Sequence, residues 1–183
     1  MSFIPFLVLL AFLIWAILLF NRLVRLRNQV RAGWSDIGVQ LTRRHDLVPM
    51  LVDAVRAYAG HEKSVFESVT ALRTKAMATS TPTRLATVEA ALEHEVDRLM
   101  LIKEAYPDLK ASENFLRLQR DLVEVEDHLQ YARRFYNGAV RELNDGVQRF
   151  PDLLVANAFG FKLAEFFEAA ESADVAPKLD LER

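Results

Sequence analysis

The stretch LTRRHDLVPMLVDAV, Leu41 to Val55, gathers the residue types that most plainly could do chemistry. A hydrolase or metal enzyme built around Arg43, Arg44, His45 and Asp46 is one reading of it. The remaining histidines, His61, His94 and His128, also stand beside carboxylates. A zinc or di-iron bundle needs recurring ligands on inward helix faces, such as paired Glu-x-x-His motifs. Thr42, Tyr58, Ala91 and Val125 occupy the places where those glutamates would stand. His61-Glu62 continues with Lys63, Ser64 and Val65, so His-Glu-x-x-His is missing too. Glu93 with Glu95, and Glu124 with Glu126 and Asp127, read as solvated helix faces. No phosphate-binding, dinucleotide-binding or nucleophile-elbow glycine motif occurs. The expectation is a protein that is not an enzyme, with no catalytic residue, cofactor or metal.

The elements that would position these residues are helices. The 183 residues include no cysteine and only six glycines and six prolines. From Val30 the apolar residues step by four and three through Trp34, Ile37, Leu41, Val48, Leu51, Val55 and Tyr58, a seam of period about 3.5. Arg44 alone breaks it. A first helix should reach about Ala59, with Gly60 as its carboxyl-terminal cap. A second spans about His61 to Ala78. TSTPT, Thr79 to Thr83, breaks the pattern with a proline suited to a first helical turn. A third covers about Arg84 to Ala105, along Leu85, Val88, Leu92, Val96, Leu99 and Ile102. YPDLKASEN interrupts, and Ser112 is a good amino-terminal cap for a fourth helix, about Glu113 to Phe150, seamed from Phe115 to Val147. Asn137-Gly138 lies inside it as a tolerated glycine. Pro151 ends it. The fold class is all-α: an amino-terminal transmembrane helix continuing into an elongated antiparallel four-helix bundle.

Phe3 to Phe20, FIPFLVLLAFLIWAILLF, is 18 apolar residues without interruption. At ~1.5 Å per residue it measures ~27 Å, about a bilayer core. The start MSF has no basic residue and no small-x-small site follows, which argues for a retained anchor over a cleaved leader. Residues 21–44 carry six arginines against Asp36, a net of +5. The positive-inside rule then puts the amino terminus outside and the rest in the cytoplasm, a single-pass arrangement. Those arginines are better matched to anionic lipid than to nucleic acid, which is not expected as a partner. The chain divides into an anchor (1–20), a helical bundle (21–150), an apolar membrane-proximal segment (151–171) and an acidic tail (172–183) expected to be mobile.

Summed helix lengths bring the end of the fourth helix back to the membrane side of the first. FPDLLVANAFGFKLAEFF lies there and holds five of the twelve phenylalanines. Phe150, Leu153, Leu154, Phe159, Phe161, Phe166 and Phe167 either cap the bundle core or touch lipid or a neighbouring subunit.

VRAGWSDIGVQLTRRHDLVPMLVDAVRAYAGHE (Val30 to Glu62), LKASENFLRLQRDLVEVEDHLQYARRFYNGAVRELNDGVQRFP (Leu109 to Pro151) and FGFK...FFE (Phe159 to Glu168) resemble the LemA family of bacterial membrane-anchored helical proteins. The resemblance implies one amino-terminal transmembrane helix with a short outside end and a cytoplasmic helical bundle. It implies no established biochemical activity, and some members are implicated in membrane-compartment biogenesis.

The function expected is a membrane-anchored scaffold or adaptor that assembles with copies of itself, a homo-oligomer, or meets an unidentified membrane protein. A regulatory subunit of a membrane enzyme such as a protease is the alternative. Within this reading Arg43, Arg44, His45, Asp46 and Pro49 form a structural polar layer. Pro49 removes the donor that would have bonded the carbonyl of His45. Arg44, in a seam position, needs an acidic or carbonyl partner. Glu124, Glu126 and Asp127 of the fourth helix lie at the right level, and Arg43 or Arg44 is expected to pair with one of them.

Overall fold

The structure, a computed structural model, describes residues 3–169. The tail 172–183 lies outside the described residues. Helices make up almost all of the rest: α1 (Ile4–Arg56), α2 (Lys63–Met77), α3 (Pro82–Leu101), α4 (Pro107–Lys110), α5 (Glu113–Gln148) and α6 (Asp152–Phe159), with one 3-10 turn at Ile102–Glu104. No strand occurs among the described residues. The chain forms two compact units, one from Met1–Ile37 with Tyr131–Glu165, the other from Gly38–Gln130 with the segment after Phe166. These units cross the sequence divisions at residues 20, 150 and 171.

The seams become the cores. Along α5 every seam residue from Phe115 to Val147 is buried, because a 3.5-residue period keeps one stripe facing the neighbouring helices. In the second unit Val48, Leu51 and Val55 of α1, Val69 of α2, Leu92 and Leu99 of α3, and Phe115 of α5 share one cluster. Fully burying side chains of this size contributes about 1.5–3 kcal/mol each. YPDLKASEN forms more than an interruption. It makes α4, whose Leu109 is fully buried, and Lys110 holds Glu104 at 2.8 Å. That lysine lowers the Glu104 carboxyl below its ordinary value, first through the hydrogen bond and then through its charge.

Pro82 opens α3 at its first turn, where a missing N–H costs nothing. Ser112 accepts a long bond from Phe115 N, 3.5 Å, at the start of α5. The expected cap at Gly60 is not made. α1 stops at Arg56, the N–H groups of Tyr58 and Ala59 turn back onto Val55 O, and Tyr58 leaves the core while Ala59 enters it. The left-handed glycine cap stands instead at Gly160, φ 69°, where Phe161 N reaches Ala156 O at 3.0 Å and closes α6.

In the first unit Leu23 of α1, Leu143 and Val147 of α5, and Val155 and Ala156 of α6 pack together with Phe161. After α6 the chain runs without regular structure and is fixed by side chains. Asn144 bonds both polar backbone atoms of Ala164, at 2.8 and 3.0 Å, and Tyr136 Oη donates to Glu165 O at 2.8 Å. Burial, and then the charge of Glu165, raise the Tyr136 phenol above its ordinary value.

Helices α1 and α5 approach closely at Gly33, where an added Cβ would lie 3.0 Å from Tyr136 Cα. Backbone cannot step aside as a side-chain tip can. Gly33→Ala is therefore expected to lower stability by about 1 kcal/mol or more, overpacking outweighing the helix-propensity gain. Gly138 has open space around it, and Gly138→Ala should raise stability by about 0.5–1 kcal/mol. Denaturant unfolding of the two variants separates the cases.

Candidate functional site

The cluster singled out in the sequence lies in the second unit, around the proline of α1. Pro49 sits inside the helix and supplies no N–H to the carbonyl of His45. That carbonyl finds a donor in α2: Arg73 Nε lies 2.7 Å from His45 O. The guanidinium thus takes the place of the lost helix bond and ties α2 to the proline position. Arg73→Met is expected to cost about 1.5–3 kcal/mol, the range for a bond from a charged donor. In a Pro49→Ala background the backbone N–H competes for the same oxygen, so the cost should shrink. A double-mutant cycle by denaturant unfolding measures the difference, and an unchanged cost would show that Arg73 acts elsewhere.

One turn of side chains completes the layer. Arg44 is only 4% exposed. Its Nη1 lies 3.6 Å from Glu89 Oε2 of α3 and 3.5 Å from Glu126 Oε2 of α5. His45 Nε2 lies 2.7 Å from Glu89 Oε1, and Glu89 is fully buried. A carboxylate only accepts, so the tautomer with hydrogen on Nε2 satisfies this pair. Gln130 Nε2 donates to the other oxygen of Glu126 at 2.8 Å. The layer therefore draws on α1, α2, α3 and α5. Arg44 faces both Glu89 and Glu126, so its buried charge lies against carboxylates, as low-dielectric burial demands.

Arg43 is exposed and pairs with Glu124 at 3.1 Å. The two arginines thus meet two of the three acids expected on the fourth helix. Asp46 is exposed and Pro49 half-buried. Two members of the layer, Glu89 and Arg73, were missed in the sequence. Glu89 follows the seam residue Leu85 by four and precedes Leu92 by three. That is a seam position, and the reasoning that singled out Arg44 applies to it equally.

The apolar segment divides. Phe161 and Phe167 are buried, Leu153 and Phe166 half-buried, and Phe150, Leu154 and Phe159 exposed. Phe166 and Phe167 belong to the second unit, where Thr83 Oγ1 donates to Phe166 O at 3.4 Å. The segment is thus neither wholly a core cap nor wholly a surface.

Arg44, His45 and Glu89 are buried, whereas Glu126 is partly exposed. A surface groove of the second unit, lined by Arg56, Phe66, Thr70 and Thr74 among others, contains none of the layer's members. His61, His94 and His128 are exposed. Among the described residues no three His, Asp or Glu side chains converge as a metal site would require. At the other end of α1, the apolar stretch has mean hydropathy 2.6 over 18 residues and none of it is buried. It is long and apolar enough to cross a membrane.

Comparison with known proteins finds relatives along most of the chain. Magnetosome protein MamQ 2 of Paramagnetospirillum magneticum is 24% identical over 193 residues, spanning 90% of this chain and 70% of that protein. MamQ of Magnetospirillum gryphiswaldense is 22% identical over 192 residues, spanning 91% and 71%. Protein LemA of Metamycoplasma hominis is 26% identical over 155 residues, spanning 82% and 69%. The LemA family pattern matches residues 33–181, and the chain belongs to the LemA family.

Proposed function

We propose that this protein is a membrane-anchored helical scaffold or adaptor. The observation that carries the reading is the contrast within α1. None of its apolar 18-residue stretch is buried, whereas its later turns are held in a core and a layer of ion pairs. A helix that exposes about 18 apolar residues needs a lipid solvent, and among the described residues nothing buries that stretch. The arginines that follow, Arg22, Arg25, Arg27 and Arg31, orient the bundle towards the cytoplasm and leave the amino terminus outside.

The scaffold acts through protein contact and not through catalysis. Its central polar residues lie inside the bundle: His45 bonds Glu89 at 2.7 Å, and Arg44 faces Glu89 at 3.6 Å. Its outer surface keeps large apolar side chains uncovered. Val39 and Met50 of α1, and Leu116 and Val123 of α5, are all exposed in the second unit, where Arg43 meets Glu124. Contact with further copies of the chain would cover them. Relatives named as magnetosome proteins fit a role in organising membrane compartments.

The orientation is tested by fusing two reporters to the carboxyl terminus of the full chain. One is active only in the cytoplasm and the other only outside it. Activity of the cytoplasmic reporter alone is expected. Activity of the outside reporter would overturn the orientation.

A further inference from the structure

The first unit leaves several large apolar side chains in and around α6 uncovered by its own core. Phe150, Leu154, Phe159 and Leu163 are each more than half exposed. Single exposed apolar residues are ordinary, but a cluster of large ones marks a contact surface. Three of the four flank or form α6, whose inner face, Asp152, Val155 and Ala156, is buried.

The position of α6 decides what covers the patch. Its first residue, Asp152, accepts a 2.8 Å bond from Arg22 Nη1. Its last, Phe159, places its ring 4.8 Å from that of Phe20. Both ends are therefore tied to one turn of α1, the turn where the apolar run ends and the arginines begin. Arg25, Arg27, Arg31, Arg149 and Lys162 are exposed in the same unit, and residues 21–31 include no acid. Arg27 lies over the Phe161 ring at 5.1 Å. The exposed acids of the unit are Asp36, Glu142, Asp145 and Glu165.

We infer that α6, with Phe150 and Leu163, is a second contact with the bilayer, seated at the boundary of headgroups and acyl chains beside the exit of α1. It rests on the proposal above that the apolar part of α1 crosses that bilayer. The exposed apolar side chains enter the boundary, and the neighbouring arginines meet anionic headgroups. Such a shelf fixes how α1 leaves the membrane. A second copy of the chain is the rival occupant. The arginines around these side chains and the tie of α6 to the end of the apolar run favour lipid.

The chain has no cysteine, so single cysteines can carry a fluorophore. Leu154→Cys and Leu163→Cys report on the shelf, Leu10→Cys on the apolar helix and Arg120→Cys on the second unit. The labelled full-length protein is reconstituted into vesicles of phosphatidylcholine with or without phosphatidylglycerol, bearing nitroxides at shallow or deep acyl positions. Labels at 154 and 163 should be quenched by shallow nitroxides, at a depth of about 5–10 Å, and more strongly with phosphatidylglycerol. The label at 10 should be quenched by deep nitroxides and the label at 120 by neither. Shelf labels in water, with the label at 10 deep, would overturn the shelf and leave the anchor standing. Shelf labels shielded from water only at high protein-to-lipid ratio would assign the patch to a second copy, which also overturns it. A label at 10 in water would remove both the anchor and the shelf.

Discussion

Glu89→Ala is expected to destabilise the second unit by about 3–5 kcal/mol, the cost of removing one partner from a buried ion pair. The fully buried carboxylate bonds the His45 ring and is one of two acids facing the Arg44 guanidinium. Its loss leaves a cation that is 4% exposed with Glu126 alone, and an imidazole N–H with nothing to bond. Glu126 is partly solvated, with 28% of its side chain exposed, so Glu126→Ala should cost less. The pair also has an asymmetry worth measuring. Replacing Arg44 by Met in a Glu89→Leu background removes both buried charges and should recover much of the stability. Guanidinium unfolding of the full chain in detergent, followed by helical circular dichroism, gives all four values. A Glu89→Ala cost below about 1 kcal/mol would mean that water reaches the layer and that its burial does not hold in solution.

Deletion of residues 3–18 is the second large effect. Among the described residues they belong to no core; they are exposed except for Ala16, which is half-exposed. The deleted protein should therefore move from the membrane fraction to the soluble fraction with its helical content otherwise retained. Extending the deletion to Phe20 should behave differently. Leu19 and Phe20 pack against the cluster around Leu23 and Val155, and the Phe20 ring meets both Phe159 and Phe161. Phe20 is partly buried, so losing it and its packing should cost about 1–3 kcal/mol, less than for a fully buried aromatic. Fractionation with thermal unfolding distinguishes the two deletions. Retention of the shorter deletion in the membrane would locate the anchor elsewhere.

The same contrast shows where the sequence was legible. Long seams translate directly, since a 3.5-residue apolar period leaves one geometric solution, and α5 buries its seam throughout. Pro49 could be read to the atom: a missing N–H implies a free His45 carbonyl. The donor could not, because Arg73 stands 28 residues away on a helix whose rotation is set by packing. Glu89 was hidden among charges that usually face water, although its spacing from Leu85 and Leu92 placed it inside. The segment after α5 was the least legible. Phe159 and Phe161 differ by two residues, yet one is 64% exposed and the other 8%. The difference follows from the left-handed turn at Gly160 and the anchoring of Ala164 by Asn144, neither of which has an apolar period.

The account rests most heavily on assembly at the membrane, because a scaffold without a partner has no function. The direct measurement is the mass of the full chain extracted from native membranes in polymer-bounded lipid discs. Discs containing several copies, or the chain with another membrane protein at fixed ratio, are predicted. Discs that hold a single copy alone at every expression level would contradict the account.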